Sequence, residues 1–485
     1  MGDTGIQDDW STDSNEAVHV SLVTPGQTLH TFHPKFTYPI FGDEERIFGY
    51  QGLKINIKYH VCDMRPVVQI TYNRKFKPVG ETEPTDLKAI LEDFLPKTAF
   101  EKTAVFDAAI ADPSYTTWKP PGELWKTIQS GSQTLEVWKG SLADMAVQQM
   151  VKRMQILVPF FIEGGTMIEL REPEWSLDRW TVFFLYQKNV VDVGSSSSPY
   201  TFMGYSTVYR YFLYQPIAPS GSAPAKKQPI HHEANLDFKL PLPEVPFSSL
   251  PCRSRISQFI ILPPFQGGGS GSRFYNAIFD YFLKDPTTIE ITVEDPNEAF
   301  DDLRDINDLA RLRTVSKFSA LRINKNSKPR SKGPVPRDIV DMDAMERIRS
   351  KMKIAPRQFA RVTEMQLLSM IPLGVRQSLI DHPKSSIPDL AAKEHEYHLW
   401  QLWVKKRLYR HNKDMLMQLD RAERIQKLEE VTGGVEADYA RLLRNFEQRA
   451  RGSAHLTTSN GKRSSSDDTE ENDNEPPAKR AKLAS

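Results

Sequence analysis

The chain is poor in cysteine. Cys62 and Cys252 are the two thiols in 485 residues, too few for a disulfide framework, so a reducing compartment is expected. A paired metal site would need more ligands than these two supply. Long apolar runs are missing as well. No stretch of about 18 apolar residues occurs, which excludes a membrane-spanning helix, and the polar, acidic start from Met1 to Asn15 contains no apolar signal core. Neither sign of charge is in excess. With 63 Lys+Arg against 62 Asp+Glu and a net charge of +1, the whole chain is no generic polyanion binder. Electrostatic recognition has to come from local patches.

What is present suits a soluble chain of several domains, since hydrophobic residues make up 39% and charged residues 26%. Residues 1–17 read as a loose arm. Residues 18–140 read as an α+β domain, because Leu53, Ile55, Ile57 and Tyr59 alternate with Lys54, Asn56, Lys58 and His60 in the period of a half-buried strand. Val68, Ile70 and Tyr72 repeat that pattern. Residues 141–323 read as a mixed α/β core. Leu142, Met145, Ala146, Met150 and Met154 predict an amphipathic helix to about Leu157, with a break favoured by Pro159. Strands are predicted over Trp180–Gln187, Thr201–Tyr214, Arg255–Leu262 and Thr288–Glu294. Two polar stretches, Ser195–Pro199 and Ile217–Gln228, read as surface insertions. A polar linker at 324–337 precedes a helical domain at 338–452, in which Gly433-Gly434 is expected to stop a helix before the one carrying Tyr439, Leu442, Leu443 and Phe446. Residues 453–485 read as a disordered tail.

The informative stretch runs from Arg255 to Asp305. A buried strand leads into Gln266-Gly267-Gly268-Gly269-Ser270-Gly271, and an amphipathic helix follows, with Phe274, Ala277, Ile278, Tyr281 and Phe282 on one face. Glycines let the backbone approach a ligand closely, and the amides of the turn and the first helical turn favour a bound anion. A run of this composition also suits a flexible linker, and only its flanks argue otherwise. The dinucleotide fingerprint fails at Ser272, and no Walker lysine follows, since Arg273 and Phe274 stand in its place. Gln266, Gly269 and Gly271 do fill the Q/R-x-x-G-x-G/A signature of the GCN5-related acetyltransferases.

The resemblance narrows from there. Arg255-Ile256-Ser257-Gln258, Pro264-Phe265-Gln266-Gly267 and Glu294-Asp295-Pro296 resemble the type B histone acetyltransferase catalytic subunits. Further matches are Phe41-Gly42-Asp43-Glu44-Glu45, Phe48-Gly49-Tyr50, Gly52-Leu53-Lys54, Gly204-Tyr205 and Thr207-Val208-Tyr209. The likeness spans about residues 20–450 and departs at the two insertions and the tail. It implies an α/β fold: a GCN5-related acetyltransferase core with a mixed, mostly antiparallel sheet and flanking helices, plus the N-terminal α+β domain, then expected to bind histone, and the C-terminal helical domain.

The same resemblance implies acetyl-coenzyme A as co-substrate, with no metal. It places the general base at Glu294, which the strand pattern alone leaves as an ordinary strand-end carboxylate. Asp295 and Glu163 follow as further catalytic candidates, and each suits a turn or cap equally well. Backbone groups of Phe259, Ile260 and Ile261 would pair with the pantetheine arm, Gln266, Gly267, Gly268, Gly269, Ser270, Gly271 and Ser272 would wrap the pyrophosphate, and Asn297 would reach the cofactor. Asp43, Glu44 and Glu45 would receive the basic tail of histone four, with Tyr209, Arg210 and Tyr211 across the groove. From the residues alone, the acidic cluster suits a solvated turn and the tyrosines suit core strand positions. Expected partners are histone four, free or with histone three, and a WD-repeat histone-binding subunit. Neither a membrane nor direct DNA binding is expected. Two rivals stay open: an acetyltransferase for another amine, and a module that binds acetyl-coenzyme A or a histone without turnover.

Other patches are weaker. His395-Glu396-Tyr397-His398 is one residue short of a metalloprotease box and reads as a polar helix surface. Lys405-Lys406-Arg407 and Arg410 read as a solvated basic face. Lys462-Arg463 and Lys479-Arg480-Ala481-Lys482, with an acidic spacer between them, resemble a bipartite nuclear import signal, so both nucleus and cytoplasm are expected locations.

Overall fold

A computed structural model describes residues 10–190, 198–213, 250–330, 333–376 and 387–460, with side chains to 448. Most of both insertions and the two basic clusters of the tail lie outside the described residues. The chain divides into two compact units, Met1–Leu321 with Asp341–Thr363, and Arg322–Val340 with Glu364–Ser485.

The first unit contains two sheets of direct concern. In the N-terminal sheet, β1 (Val18–Thr24) lies between β2 (Gln27–Phe32) and β3 (Lys54–His60), and β4 (Pro66–Thr71) is outermost. The alternation predicted for β3 holds, with Ile55, Ile57 and Tyr59 buried and Lys54 exposed. The arm is ordered earlier than expected. Ser11–Asp13 pairs antiparallel with Arg46–Phe48, and the Asp13 side chain caps the helical turn Ser14–Ala17. Strand pairing supplies partners that a polar sequence read in isolation does not reveal.

The larger sheet runs β10-β9-β8-β7-β6-β5 in space, built from β5 (Glu123–Ser130), β6 (Gln133–Ser141), β7 (Trp180–Lys188), β8 (Tyr200–Phe212), β9 (Cys252–Ile261) and β10 (Thr288–Val293). Its pairs are antiparallel except β9 with β10, which are parallel and joined through a helix, as a parallel crossover requires. Helix α1 (Met145–Met154) starts at Asp144, whose carboxylate accepts from the amides of Ala146 and Val147. Leu142 therefore precedes the helix. Pro159 sits inside a second short helix, Leu157–Phe161, near whose start its missing N–H has no intrahelical partner to lose. One apolar cluster includes Val18, Val20, Ile55 and Ile57 of the N-terminal sheet and Val182, Phe184, Tyr205 and Ile260 of the larger one.

Helix α2 (Ser270–Lys284) buries the predicted Phe274, Ala277, Ile278 and Phe282. It also buries Tyr275 and Phe279, because α3 (Glu298–Arg313) covers a second side of it. Tyr275 donates to Asp308 at 2.9 Å, and Arg311 pairs with Asp280 at 2.6 Å. Strand β10 departs from simple alternation: Ile289 is exposed while Thr288 and Ile291 are buried. The register with β9 shifts at this point, so Ile289 is the extra residue of a bulge and loses its place on the Ile291 face. Helix α4 (Met342–Met352) and the start of α5 (Pro356–Ser369) complete this unit.

In the second unit α6 (Leu390–His411) packs against α7 (Arg421–Asn460). Glu364 ties them together. It accepts from Arg407 at 2.6 and 2.8 Å and from the Tyr439 hydroxyl at 2.9 Å, while Trp400 donates to its carbonyl. Arg407 and Lys405, which pairs with Glu429, are therefore part of the packing and not of a free basic face. Glu396 is buried and paired with Lys393 and Lys325, so the His395–His398 stretch is not simply polar surface. Helix α7 runs through Gly433-Gly434 and on to Asn460. Two interior glycines cost about 1 kcal/mol each, less than ending one helix and nucleating another. Among the described residues no helix is long and apolar enough to cross a membrane.

Candidate active site

The site begins where two parallel strands part. Strands β9 and β10 pair from Cys252↔Thr288 to Ile256↔Val293, and the Glu294 amide donates to the Ile256 carbonyl at 2.9 Å. Beyond that bond β10 ends, Asp295 takes a positive φ of 33°, and Asn297 caps α3 by accepting from the Phe300 amide. Strand β9 continues to Ile261, paired only with β8 among the described residues. Only alternate residues of an antiparallel strand bond to one neighbour. The others between Ser257 and Ile261 turn backbone groups toward the side that β10 has left. The Leu262 amide donates to Met203 of β8, so by alternation Phe259 and Ile261 face the open edge while Ile260 between them faces β8.

At the far end of the edge the chain turns. Gln266 donates through Nε2 to the Ile261 carbonyl at 2.7 Å, so its side chain braces the turn. Gly267 and Gly269 have φ of 81° and 80°, conformations that favour glycine. Gly269 is the N-cap of α2 and, having no side chain, leaves the first helical amides uncapped. Gly271 lies against Leu303, which a Cβ would meet at 2.9 Å. The Arg273 guanidinium donates to the Gly268 carbonyl at 2.7 Å and places a positive charge at the turn. Ser272 accepts from Asn307 through its hydroxyl, and Ser270 is buried. The backbone of this turn is thus bare, positively polarised and open to an anion.

Glu294 has an exposed carboxylate, with a side chain 45% accessible. Its Oε2 accepts from Ser257 Oγ at 2.6 Å, and Oε1 lies 3.7 Å from Arg255 Nη1. Across the ladder Arg255 faces Tyr209, whose hydroxyl accepts from Arg179 at 3.1 Å. Arg179 also lies over the ring of Trp175, which is 60% exposed. Tyr211 continues the Tyr209 face and is exposed, whereas Arg210 turns to the other face and pairs with Asp285 at 3.6 Å.

Glu163 and the acidic turn are tied to this strand through a relay of bonds. Glu45, with φ of 50°, accepts from the amides of Thr37 at 2.7 Å and Tyr38 at 3.1 Å and from Asn15. The Thr37 amide chiefly holds its carboxyl below the ordinary range, against a smaller upward push from burial. Tyr38 Oη in turn accepts from the Gly164 amide, next to Glu163, and Gln258 donates to the Thr166 carbonyl at 2.9 Å. Glu45 is thereby engaged in holding the turn, while Asp43, Glu44 and Glu163 are exposed. Tyr205 Oη, Thr207 Oγ1 and Gln258 Oε1 are buried without a partner among the described residues, an unusual concentration of unmet polar atoms beside the site.

Sequence reasoning missed Ser257, Arg255, Arg273 and the Arg179–Trp175 pair. Ser257 and Arg255 stand inside the Arg255–Gln258 motif, but their contact with Glu294 depends on strand register. His60, Cys62 and Asp63 form a buried group with the residue types of a metal site. Asp63 is already bound by Arg153 at 2.7 Å and Tyr115 at 2.9 Å, so a guanidinium supplies the positive charge there.

Such a sheet, parting beside a carboxylate and followed by a bare glycine turn, is consistent with an acyl-transferring α/β enzyme. Comparison with known proteins makes the assignment specific. Residues 10–163 match the family model for the histone acetyl transferase HAT1 N-terminus, and residues 305–371 match that for the fungal HAT1 C-terminal region. Histone acetyltransferase type B catalytic subunits from Pyricularia oryzae and Neurospora crassa are 48% and 44% identical, over 95% and 92% of this chain and 95% and 89% of theirs. That from Gibberella zeae is 44% identical over 95% of this chain and 96% of its own. The chain belongs to the type B histone acetyltransferase catalytic subunits and is a histone acetyltransferase. Membership implies use of acetyl-coenzyme A, and the residues fit it, with an unpaired strand edge for an extended amide-bearing arm and uncapped helical amides for a pyrophosphate.

Proposed function

We propose that the protein acetylates Nε amines of lysines in the tail of newly synthesised, non-nucleosomal histone four, with Glu294 as general base, before chromatin is assembled. The observation that carries this reading is the place of Glu294, on the last backbone bond between β9 and β10, at the mouth of the open edge. A free lysine has a pKa near about 10.4, so at neutral pH it must lose a proton before or as it attacks. Acetyl-coenzyme A supplies an activated acyl group on a thiol leaving group. The carboxylate of Glu294 takes one proton from the lysine nitrogen, the N–C bond forms as the C–S bond breaks, and the departing coenzyme A thiolate takes up the other proton, with no covalent acetyl-enzyme. Asp295 and Glu163 act as neighbouring acceptors for the substrate amine. Backbone groups of the segment Phe259, Ile260 and Ile261 hold the arm, and Gln266 to Ser272 surround the phosphates, with Asn297 close by.

Exposed Asp43 and Glu44 support a basic, extended substrate, with Tyr209 and Tyr211 on the sheet face. A WD-repeat histone-binding subunit is the expected partner, and nucleus and cytoplasm are the expected locations. Transfer of labelled acetyl groups to free histones and to nucleosomes tests the substrate assignment. Labelling of free histone four at least about tenfold above nucleosomal histone four is expected. Equal labelling of both would overturn the non-nucleosomal assignment, and no labelling of histone four in either form would overturn the substrate.

A further inference from the structure

We propose that Ser257 is the positioning residue of Glu294, its hydroxyl holding Oε2 so that Oε1 meets the incoming amine, and that Arg255 completes the hold. The inference rests on the reading of Glu294 as the base. A base must present a lone pair within hydrogen-bond reach of the proton it removes. Burial does not fix this side chain, because it is 45% accessible at the end of a strand. An exposed glutamate samples several rotamers, so something else must select one. The contacts that do so are the 2.6 Å bond from Ser257 Oγ to Oε2 and the charge of Arg255 at 3.7 Å from Oε1. The second distance is too long for a hydrogen bond. Oε1 therefore keeps lone pairs for a substrate, with the Arg255 guanidinium beside it.

The strand explains why this serine is placed there. Facing β8, the register passes from Val208↔Ile256 to Thr207↔Gln258, so Ser257 is the extra residue of a bulge. In a regular strand Gln258 would lie on the face opposite Arg255. The bulge switches the phase, and Gln258 comes to the Arg255 side opposite Thr207, where it ties down the Thr166 carbonyl. The same switch sends Ile260 into the cluster shared with the N-terminal sheet, while Phe259 packs on Phe274 and Phe300. Strand β10 parts from β9 directly at this bulge. One extra residue thus opens the edge, anchors the Thr166 loop and aims a hydroxyl at the base.

Steady-state rates on a histone-four tail peptide, with full-length protein, test this for the wild type, Ser257→Ala, Ser257→Thr, Glu294→Gln and the Ser257→Ala/Glu294→Gln pair. Ser257→Ala is expected to lower kcat about tenfold, the scale of one hydrogen bond to a charged group, with KM for acetyl-coenzyme A and for peptide within about twofold. Threonine keeps the hydroxyl and is expected to restore most of kcat. The double variant is expected to be no slower than Glu294→Gln alone, since the serine acts through the glutamate. A Ser257→Ala kcat equal to wild type, a threonine variant as slow as alanine, or losses that multiply in the double variant would each overturn the positioning role and leave the base assignment standing. Full activity in Glu294→Gln would overturn both.

Discussion

Asp63 shows how a single buried carboxylate can hold several segments. It meets His60 Nδ1 at 2.8 Å and accepts from Arg153 at 2.7 Å, Tyr115 at 2.9 Å and the Arg65 amide at 3.3 Å. Burial alone would raise its pKa, but the bond with His60 and the charge of Arg153 outweigh this and hold the carboxyl below the ordinary range. The sign of the pH effect follows. The unfolded chain takes up this proton near pH 4, while the folded chain does so only at lower pH. The stabilisation is therefore present above about pH 4 and fades as pH falls through the folded value. Asp63→Asn is expected to destabilise the protein by roughly 3–5 kcal/mol at neutral pH, because Arg153 is left uncompensated, and to flatten the acid limb. Thermal melts between pH 3 and 7 check this, and an unchanged melting profile would contradict it. Residue chemistry of this kind was only partly legible. Glu45 stood out as part of an acidic cluster, yet its use on the Thr37 and Tyr38 amides depends on a turn geometry that composition does not encode.

Among elements, the glycines divide by what surrounds them. Gly267 and Gly269 are needed for backbone shape, and their role was legible because a buried strand precedes them and an amphipathic helix follows. Gly433 and Gly434 lie inside α7, and a Cβ at either position would meet nothing within 4 Å. Replacing both with alanine is expected to stabilise the helix by about 1 kcal/mol each. A rise in melting temperature with unchanged acetyl transfer is the expected result, and a fall would mean that the glycines serve a contact. Their helical state was not legible, because glycine is a stop signal only where the helix has nothing further to bury, and Tyr439, Leu442 and Leu443 lie beyond. The strands at 54–60, 66–71, 180–188, 200–212, 252–261 and 288–293 were legible from alternation and apolar runs, whereas those at 18–24, 27–32, 123–130 and 133–141 were not read. Bulges at Ser257 and Ile289 were not, since a register shift is set by the partner strand.

For the whole molecule, the acetyltransferase class was legible from a few motifs because chemistry constrains residues locally. The ordering of residues 10–17 and the cluster joining both sheets of the first unit were not, since each depends on contacts remote in sequence. The proposed general base is one half-exposed carboxylate, held at the mouth of an open strand edge. Glu294→Gln preserves shape and a hydrogen bond from Ser257 while removing basicity. The most direct measurement is single-turnover acetyl transfer to a histone-four tail peptide by this variant, with acetyl-coenzyme A affinity measured alongside. A general base at Glu294 predicts a rate lower by about 10²–10⁴-fold with affinity within about twofold. A rate within a few-fold of wild type would contradict it.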